Sequence, residues 1–208
     1  MSNVTPVVFV VDDDVSVRES LEALIETAGW RTKTFATALD FLAHCRDTSP
    51  RCLVLDVSLP GLSGLDLQHR LGDRRDLPII FITGHGDIPM SVQAMKAGAV
   101  EFLTKPFSND VLLAAIRRAI ESSSTALDRE SEVEQLRRAF ASLSPRERQV
   151  MTHVVSGRLN KQVGGELGIS VITVKAHRGR VMRKMNADSL ADLVRMAAAL
   201  DLHAGPHA

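Results

Sequence analysis

Val7-Val8-Phe9-Val10-Val11-Asp12-Asp13-Asp14 is the stretch on which the reading of this chain turns. Five consecutive apolar residues, mostly β-branched, suit a short strand covered on both faces, and the run stops abruptly at three carboxylates. The pattern recurs at Cys52–Leu55, Ile79–Thr83 and Phe102–Thr104, and each run is followed by a helix-like segment. After the first run, Val17, Leu21, Leu24, Ile25 and Ala28 form a helical stripe over Val17–Ala28 with Gly29 as its cap. Thr32–Phe35 then reads as a short second strand. Such β–α alternation over about 120 residues predicts an α/β unit with a doubly wound parallel sheet, whose functional groups lie at the carboxyl ends of the strands.

The rest of the composition agrees. With 208 residues, 45% apolar and 24% charged, the chain suits a globular protein of two domains. No apolar stretch approaches the roughly 18 residues of a membrane helix. Met1–Thr5 lacks the basic start of a secretory signal, so a cytoplasmic protein with no membrane partner is expected. Cys45 and Cys52 lack metal-ligand spacing and read as small buried apolar residues. Seven Phe, one Trp and no Tyr are too few for base-stacking platforms, which argues against an RNA-recognition sheet. The net charge of zero hides an asymmetry. Residues 1–123 carry 12 Lys and Arg against 16 Asp and Glu, and residues 144–208 carry 10 against 5, giving −4 and +5. An acidic half joined to a basic half suggests a regulatory or catalytic module attached to one that meets a polyanion.

Between the halves, Ser122-Ser123-Ser124 reads as a flexible break, followed by a charged linker helix through Asp128 to Arg138. Ser144-Pro145-Arg146-Glu147 then marks a new helix start: a serine cap, proline in the first turn, and a glutamate able to reach back to the cap amide. Four helical patterns follow, at Arg146–Ser156, Asn160–Leu167, Ser170–Met185 and Ser189–Leu200, divided by turns at Gly157, Gly168 and Asn186. The expected organisation is a first domain over 5–123, a linker helix over 124–142 and an all-α four-helix domain over 143–204.

Asp12 to Asp14 follow the first strand and Asp56 follows the Cys52–Leu55 run. In a sheet of order 2-1-3-4-5 these strands are neighbours, so the carboxylates converge on one edge. Carboxylates this close repel one another unless a cation joins them, and an oxygen-only site with room for water suits Mg²⁺. Thr83-Gly84 ends the fourth strand with a hydroxyl beside a small residue, and Lys105-Pro106 ends the fifth with an ammonium. These groups match a phosphoryl group: magnesium neutralises some of its oxygens, Lys105 holds another and Thr83 donates to a third. Asp56 is left as the nucleophile. Asp14 reads as the cap of the first helix.

In that order on successive strand ends, Asp12, Asp13, Asp56, Thr83 and Lys105 resemble the receiver domain of two-component response regulators. The resemblance covers roughly residues 5–123. It implies a flavodoxin-like sheet, with Mg²⁺ held directly by Asp13, Asp56 and the backbone carbonyl of Ser58, and with Asp12 acting mainly through water. Asp56 would accept phosphate from a cognate histidine kinase. The resemblance further implies a cis Lys105–Pro106 peptide, Phe102 as a switch aromatic working with Thr83, and an influence of Ser58 and His85 on the phosphoryl lifetime. A phosphohydrolase of the haloacid-dehalogenase type also uses an aspartyl nucleophile and a lysine. That class keeps nucleophile and acid two residues apart on the first strand, whereas Asp56 stands alone after the third.

In the basic half, Asn160–Leu167, the turn Gly168-Ile169 and Ser170–Met185 fit a helix-turn-helix whose second helix enters the major groove. That second helix carries Lys175, Arg178, Arg180, Arg183 and Lys184 with no acid, while Val174, Val181 and Met185 share one face. The stretches Leu143–Arg148, Lys161-Gln162 and Thr173–His177 resemble the LuxR/NarL DNA-binding class, and the whole chain resembles the FixJ subfamily. The resemblance places Thr173, Lys175, Ala176, His177, Arg178, Gly179, Arg183 and Lys184 at promoter DNA. It also implies inverted-repeat half-sites, a phosphorylation-dependent homodimer, RNA polymerase as a partner, and activation of transcription by a regulator that is not an enzyme. Gly164-Gly165 departs from the family pattern and should cost roughly 0.8–1 kcal/mol per glycine in a helix interior. His153 is expected to be structural or to face phosphate. A protein-binding adaptor remains a third reading, separable by the salt dependence of DNA affinity.

Overall fold

Strands β1 (Val7–Val11), β2 (Arg31–Phe35), β3 (Arg51–Asp56), β4 (Ile79–Thr83) and β5 (Glu101–Thr104) pair in parallel in the order β2-β1-β3-β4-β5. The computed structural model describes residues 5–44, 49–72, 74–84 and 87–202. Alternation along each strand sends side chains to two faces. Val7, Phe9, Val11, Leu53, Leu55 and Phe81 pack with Ala38 and Phe41 of α2 (Ala38–His44), Leu67 of α3 (Gly64–Leu71) and Ala94 of α4 (Ile88–Lys96). Val8, Val10, Cys52, Val54, Ile80 and Ile82 pack with Leu21 and Ile25 of α1 (Val15–Thr27) and with Leu112, Ala115, Ile116 and Ala119 of α5 (Asn109–Ala141). Each large side chain fully buried this way contributes about 1.5–3 kcal/mol. Cys52 is also fully buried, and burial pushes its thiol far above the ordinary range, so it acts as a small apolar residue. Cys45 lies outside the described residues.

Three strands begin one residue earlier than the apolar pattern indicates, at Arg31, Arg51 and Glu101. Helix α1 begins at Val15 because the Asp14 carboxylate accepts from the amides of Ser16 (2.8 Å) and Val17 (3.4 Å), the expected cap. The expected break at the three serines is overturned, since all three lie within the continuous helix α5. Ser123 is buried there. Its hydroxyl donates to the Asp76 carbonyl at 2.6 Å and accepts from the Arg51 amide at 3.0 Å, which ties the helix to the sheet. Serine costs only a few tenths of a kcal/mol in a helix, so this anchor outweighs propensity. Beside it, burial acts to raise Asp76, but the Arg74 and Arg51 guanidiniums prevail and hold its carboxyl at about 2.

The chain divides into two compact units after Asp128, within α5. In the second, α6 (Pro145–Val155), α7 (Asn160–Leu167), α8 (Val171–Met185) and α9 (Leu190–Ala199) surround Val150, Val154, Val163, Val174, Val181 and Leu193. The capping box at Ser144 is present: its hydroxyl accepts from the Glu147 amide (3.3 Å), and the Glu147 carboxylate accepts from the Ser144 amide (2.9 Å). Gly168 takes the left-handed conformation that turns α7 into α8, at φ 65°. Gly164 differs from its expected role as a pure helix cost. A Cβ there would lie 2.8 Å from the Ile169 carbonyl oxygen, so its bare backbone lets the turn close, whereas Gly165 faces open space.

Candidate functional site

The ends of β1, β3 and β5 bring one cation between carboxylates. Lys105 Nζ lies 2.8 Å from Asp12 Oδ2 and 2.9 Å from Asp56 Oδ2. The other Asp12 oxygen accepts from the Asp14 amide (2.9 Å), and the other Asp56 oxygen accepts from the Ser58 amide (2.9 Å). Oxygens of Asp12, Asp13 and Asp56 lie within 4.8 Å of one another. Asp12 is completely buried and Asp13 is exposed. Burial lifts the Asp12 carboxyl above the usual carboxylate range, against the pull of Lys105 and the Asp14 amide. Burial acts to lower Lys105, but its bonds to Asp12 and Asp56 hold it above its ordinary value. Three carboxylates clustered this way, one of them facing solvent, fit a hard dication such as Mg²⁺.

Thr83 is buried at the end of β4, and its carbonyl accepts from the Lys105 amide at 2.7 Å, which sets the base of the lysine. The Lys105–Pro106 peptide is cis, as expected. Phe102 pairs across the ladder with Phe81, two residues before Thr83 on the same face; it is half-buried, with ring centroids 6.1 Å apart. His85 lies outside the described residues.

Two supports of this pocket escaped the sequence reading. Gly64 opens α3 against the end of β3, where a Cβ would lie 2.3 Å from the Asp56 carbonyl oxygen. Arg18 in α1 donates through Nη1 to the carbonyl oxygens of Asp12 (2.8 Å) and Asp13 (2.9 Å). The only hint of the arginine was a cation one turn after the Asp14 cap, and nothing in its spacing points backward onto the loop.

On α8, Val174, Val181 and Met185 are buried, while Lys175, Ala176, Gly179, Arg180 and Arg183 share the opposite, exposed face. Ile172 lies on that face at 80% exposure and also escaped the sequence reading, because an isoleucine in a helix is ordinarily core. The other expected contacts separate from this face. Thr173 is half-buried with its hydroxyl 2.8 Å from that of Ser170, and Arg178 donates to Asn160 Oδ1 at 3.4 Å. His177 is half-buried, its Nδ1 enclosed. Lys184 is a clear departure: its ammonium donates to Glu147 Oε2 (2.7 Å) and to the Ser142 carbonyl (3.0 Å). That bond, with the Ser144 amide, holds the Glu147 carboxyl at about 2. Lys184 therefore serves the α6 cap. His153 Nδ1 lies 2.9 Å from Glu166 Oε2, linking α6 to α7.

Residues 8–117 match the response regulator receiver domain family, and residues 141–197 match the luxR family of bacterial regulatory proteins. The chain is a two-component response regulator. This response regulator is 50% identical over 199 residues to nodulation protein W of Bradyrhizobium diazoefficiens, covering 95% of this chain and 88% of that one. It is 45% identical over 193 residues to the transcriptional regulatory protein FixJ of Rhizobium meliloti, covering 92% and 95%. Its fold is similar to that of the response regulator StyR, with a TM-score of 0.82 at 48% identity over 94% of this chain and 99% of the other. The regulator thus combines a receiver with a LuxR-type DNA-binding domain, the fold and family expected from its motifs. Among its described residues no helix is long and apolar enough to cross a membrane.

Proposed function

We propose that this regulator accepts a phosphoryl group on Asp56 from a histidine kinase and converts it into homodimerisation and promoter binding. The observation that carries the reading is the Lys105 ammonium bridging Asp12 and Asp56 beside Asp13, a charge arrangement suited to a dication and, once that is bound, to a phosphoryl group. Asp13, Asp56 and the Ser58 carbonyl would hold Mg²⁺, with Asp12 acting through water. When bound, the ion supplies neutralisation of phosphoryl oxygens. An Asp56 carboxylate oxygen attacks phosphorus as the bond to the kinase histidine nitrogen breaks, leaving an acyl phosphate and a neutral imidazole after proton uptake. Lys105 then holds one phosphoryl oxygen and the Thr83 hydroxyl donates to another.

As Thr83 moves toward the new charge, Phe102 turns into the space it leaves, altering the face formed by residues 89–97, 101–104 and 108–121. A symmetric dimer through that face presents two copies of α8 to an inverted repeat. Lys175 reads a base edge, Ala176 and Gly179 allow close approach, Ile172 offers an apolar contact, and Arg180 and Arg183 meet phosphates. Transcription rises through contact with RNA polymerase, by likeness to the FixJ regulators. Acetyl phosphate with Mg²⁺ should add one hydroxylamine-sensitive phosphate, seen by intact mass, and Asp56→Asn should abolish it. Full labelling of that variant, or labelling indifferent to a chelator, refutes the assignment.

A further inference from the structure

Three acidic side chains form the receiver pocket, and two of them are held by direct bonds. Asp12 is fixed by Lys105 and the Asp14 amide, and Asp56 by Lys105 and the Ser58 amide. Among the described residues nothing bonds the Asp13 carboxylate. What is held instead is its backbone. Arg18 Nη1 carries two hydrogens and donates to two carbonyls, Asp12 O at 2.8 Å and Asp13 O at 2.9 Å. These carbonyls belong to the two peptide planes that flank the Asp13 Cα. The second plane is held again at its other end, where the Asp14 amide donates to Asp12 Oδ1. With both planes fixed, φ and ψ of Asp13 are fixed, and with them the direction of its Cβ. The guanidinium sits on carbonyls and leaves the carboxylates free, so it orients a ligand without competing for its charge.

From this we infer that Arg18 is the positioning residue of the acidic pocket, holding Asp13 ready for a dication by clamping the loop behind it. The inference rests on the reading of Asp12, Asp13 and Asp56 as a Mg²⁺ site. Groups that orient metal ligands from behind are commonly worth about 10–100-fold in metal affinity, and an exposed ligand with one such clamp belongs at the low end.

The test is a calorimetric Mg²⁺ titration of the full, unphosphorylated chain, paired with acetyl phosphate labelling across Mg²⁺ concentrations. Arg18→Ala should weaken Mg²⁺ about tenfold and raise the half-saturating Mg²⁺ for labelling by the same factor, with the plateau rate within about twofold of the parent. Arg18→Lys, whose ammonium can reach both carbonyls without fixing their angle, should recover part of the loss. A purely structural arginine would lower the thermal midpoint and leave half-saturation where it was, and that result overturns the inference, as does loss confined to the plateau rate. Wild-type protein that binds no Mg²⁺ overturns the pocket reading together with the inference. Wild-type binding with an unchanged Arg18→Ala overturns the inference alone.

Discussion

In the receiver unit the functional groups are drawn inward onto one cation, with Lys105 bridging a buried Asp12 and an Asp56 that is almost as enclosed. In the helical unit the cations that face outward from α8, Lys175, Arg180 and Arg183, have no side-chain hydrogen bond or ion pair among the described residues. The difference is energetic. Several carboxylates gathered in a part-buried pocket destabilise the fold unless a cation joins them, so the receiver's candidate site and its stability share the same charges. A solvated basic face costs almost nothing to maintain, and its charges can change without disturbing the domain. Lys184 shows the boundary between these regimes: one helical position from Arg183 and still solvent-facing, it reaches to the buried Glu147 carboxylate and becomes part of the fold.

The largest effect expected from this contrast is on stability. Lys105→Ala removes the shared partner of two carboxylates and should destabilise the metal-free receiver by about 2–3 kcal/mol, below the 3–5 of a fully buried pair because the lysine is partly exposed. Urea unfolding followed at Trp30, the only tryptophan, reads this unit, and added Mg²⁺ should recover most of the loss. An unchanged midpoint in chelator would erase the distinction. On the other side, Lys175→Ala should leave unfolding unchanged and cost about 1–3 kcal/mol on specific DNA, narrowing the gap to random duplex. Arg183→Ala should weaken both duplexes alike and flatten the salt dependence. Equal losses from both variants would move Lys175 among the phosphate contacts.

The glycines of α7 sharpen the comparison within one helix. Gly164→Ala should destabilise the helical unit by about 1–3 kcal/mol, because the new methyl meets the Ile169 carbonyl. Gly165→Ala should stabilise it by up to about 1 kcal/mol, since only helix propensity changes. Thermal unfolding of the two variants separates them by sign. The last effect depends on pH and concerns Glu147, whose folded carboxyl lies at about 2 against an ordinary 4.5. A depressed folded value contributes stability above pH 4.5 that is lost as pH falls toward 2. Glu147→Gln should therefore lower the helical unit's midpoint at neutral pH, with the difference closing across that window. A gap independent of pH would assign the effect to the cap hydrogen bond alone.

The same contrast explains what the sequence disclosed. The five strand-end groups were legible because a parallel sheet converts their order along the chain into adjacency, and the strands themselves were legible as short apolar runs. Arg18 and Gly64 were not, since each acts on backbone atoms of another segment and neither charge nor periodicity records such contacts. On α8 the buried stripe gave away its face, but composition could not divide the cations: Lys184 and Arg183 are equivalent by charge and differ only in whether an acid lies within reach. The serine run misled because local composition carries no information on the Asp76 carbonyl that Ser123 meets.

One event at Asp56 is expected to join the two regions, and fluorescence-detected sedimentation on a labelled duplex recovered by genomic footprinting reads mass and DNA binding together. With beryllofluoride standing for the phosphoryl group, the regulator should pass from monomer to dimer and bind that duplex at least about tenfold more tightly. Asp56→Asn should do neither. A mass and an affinity unchanged by beryllofluoride in the wild-type protein would contradict the account, leaving the basic face of α8 to work without the carboxylates.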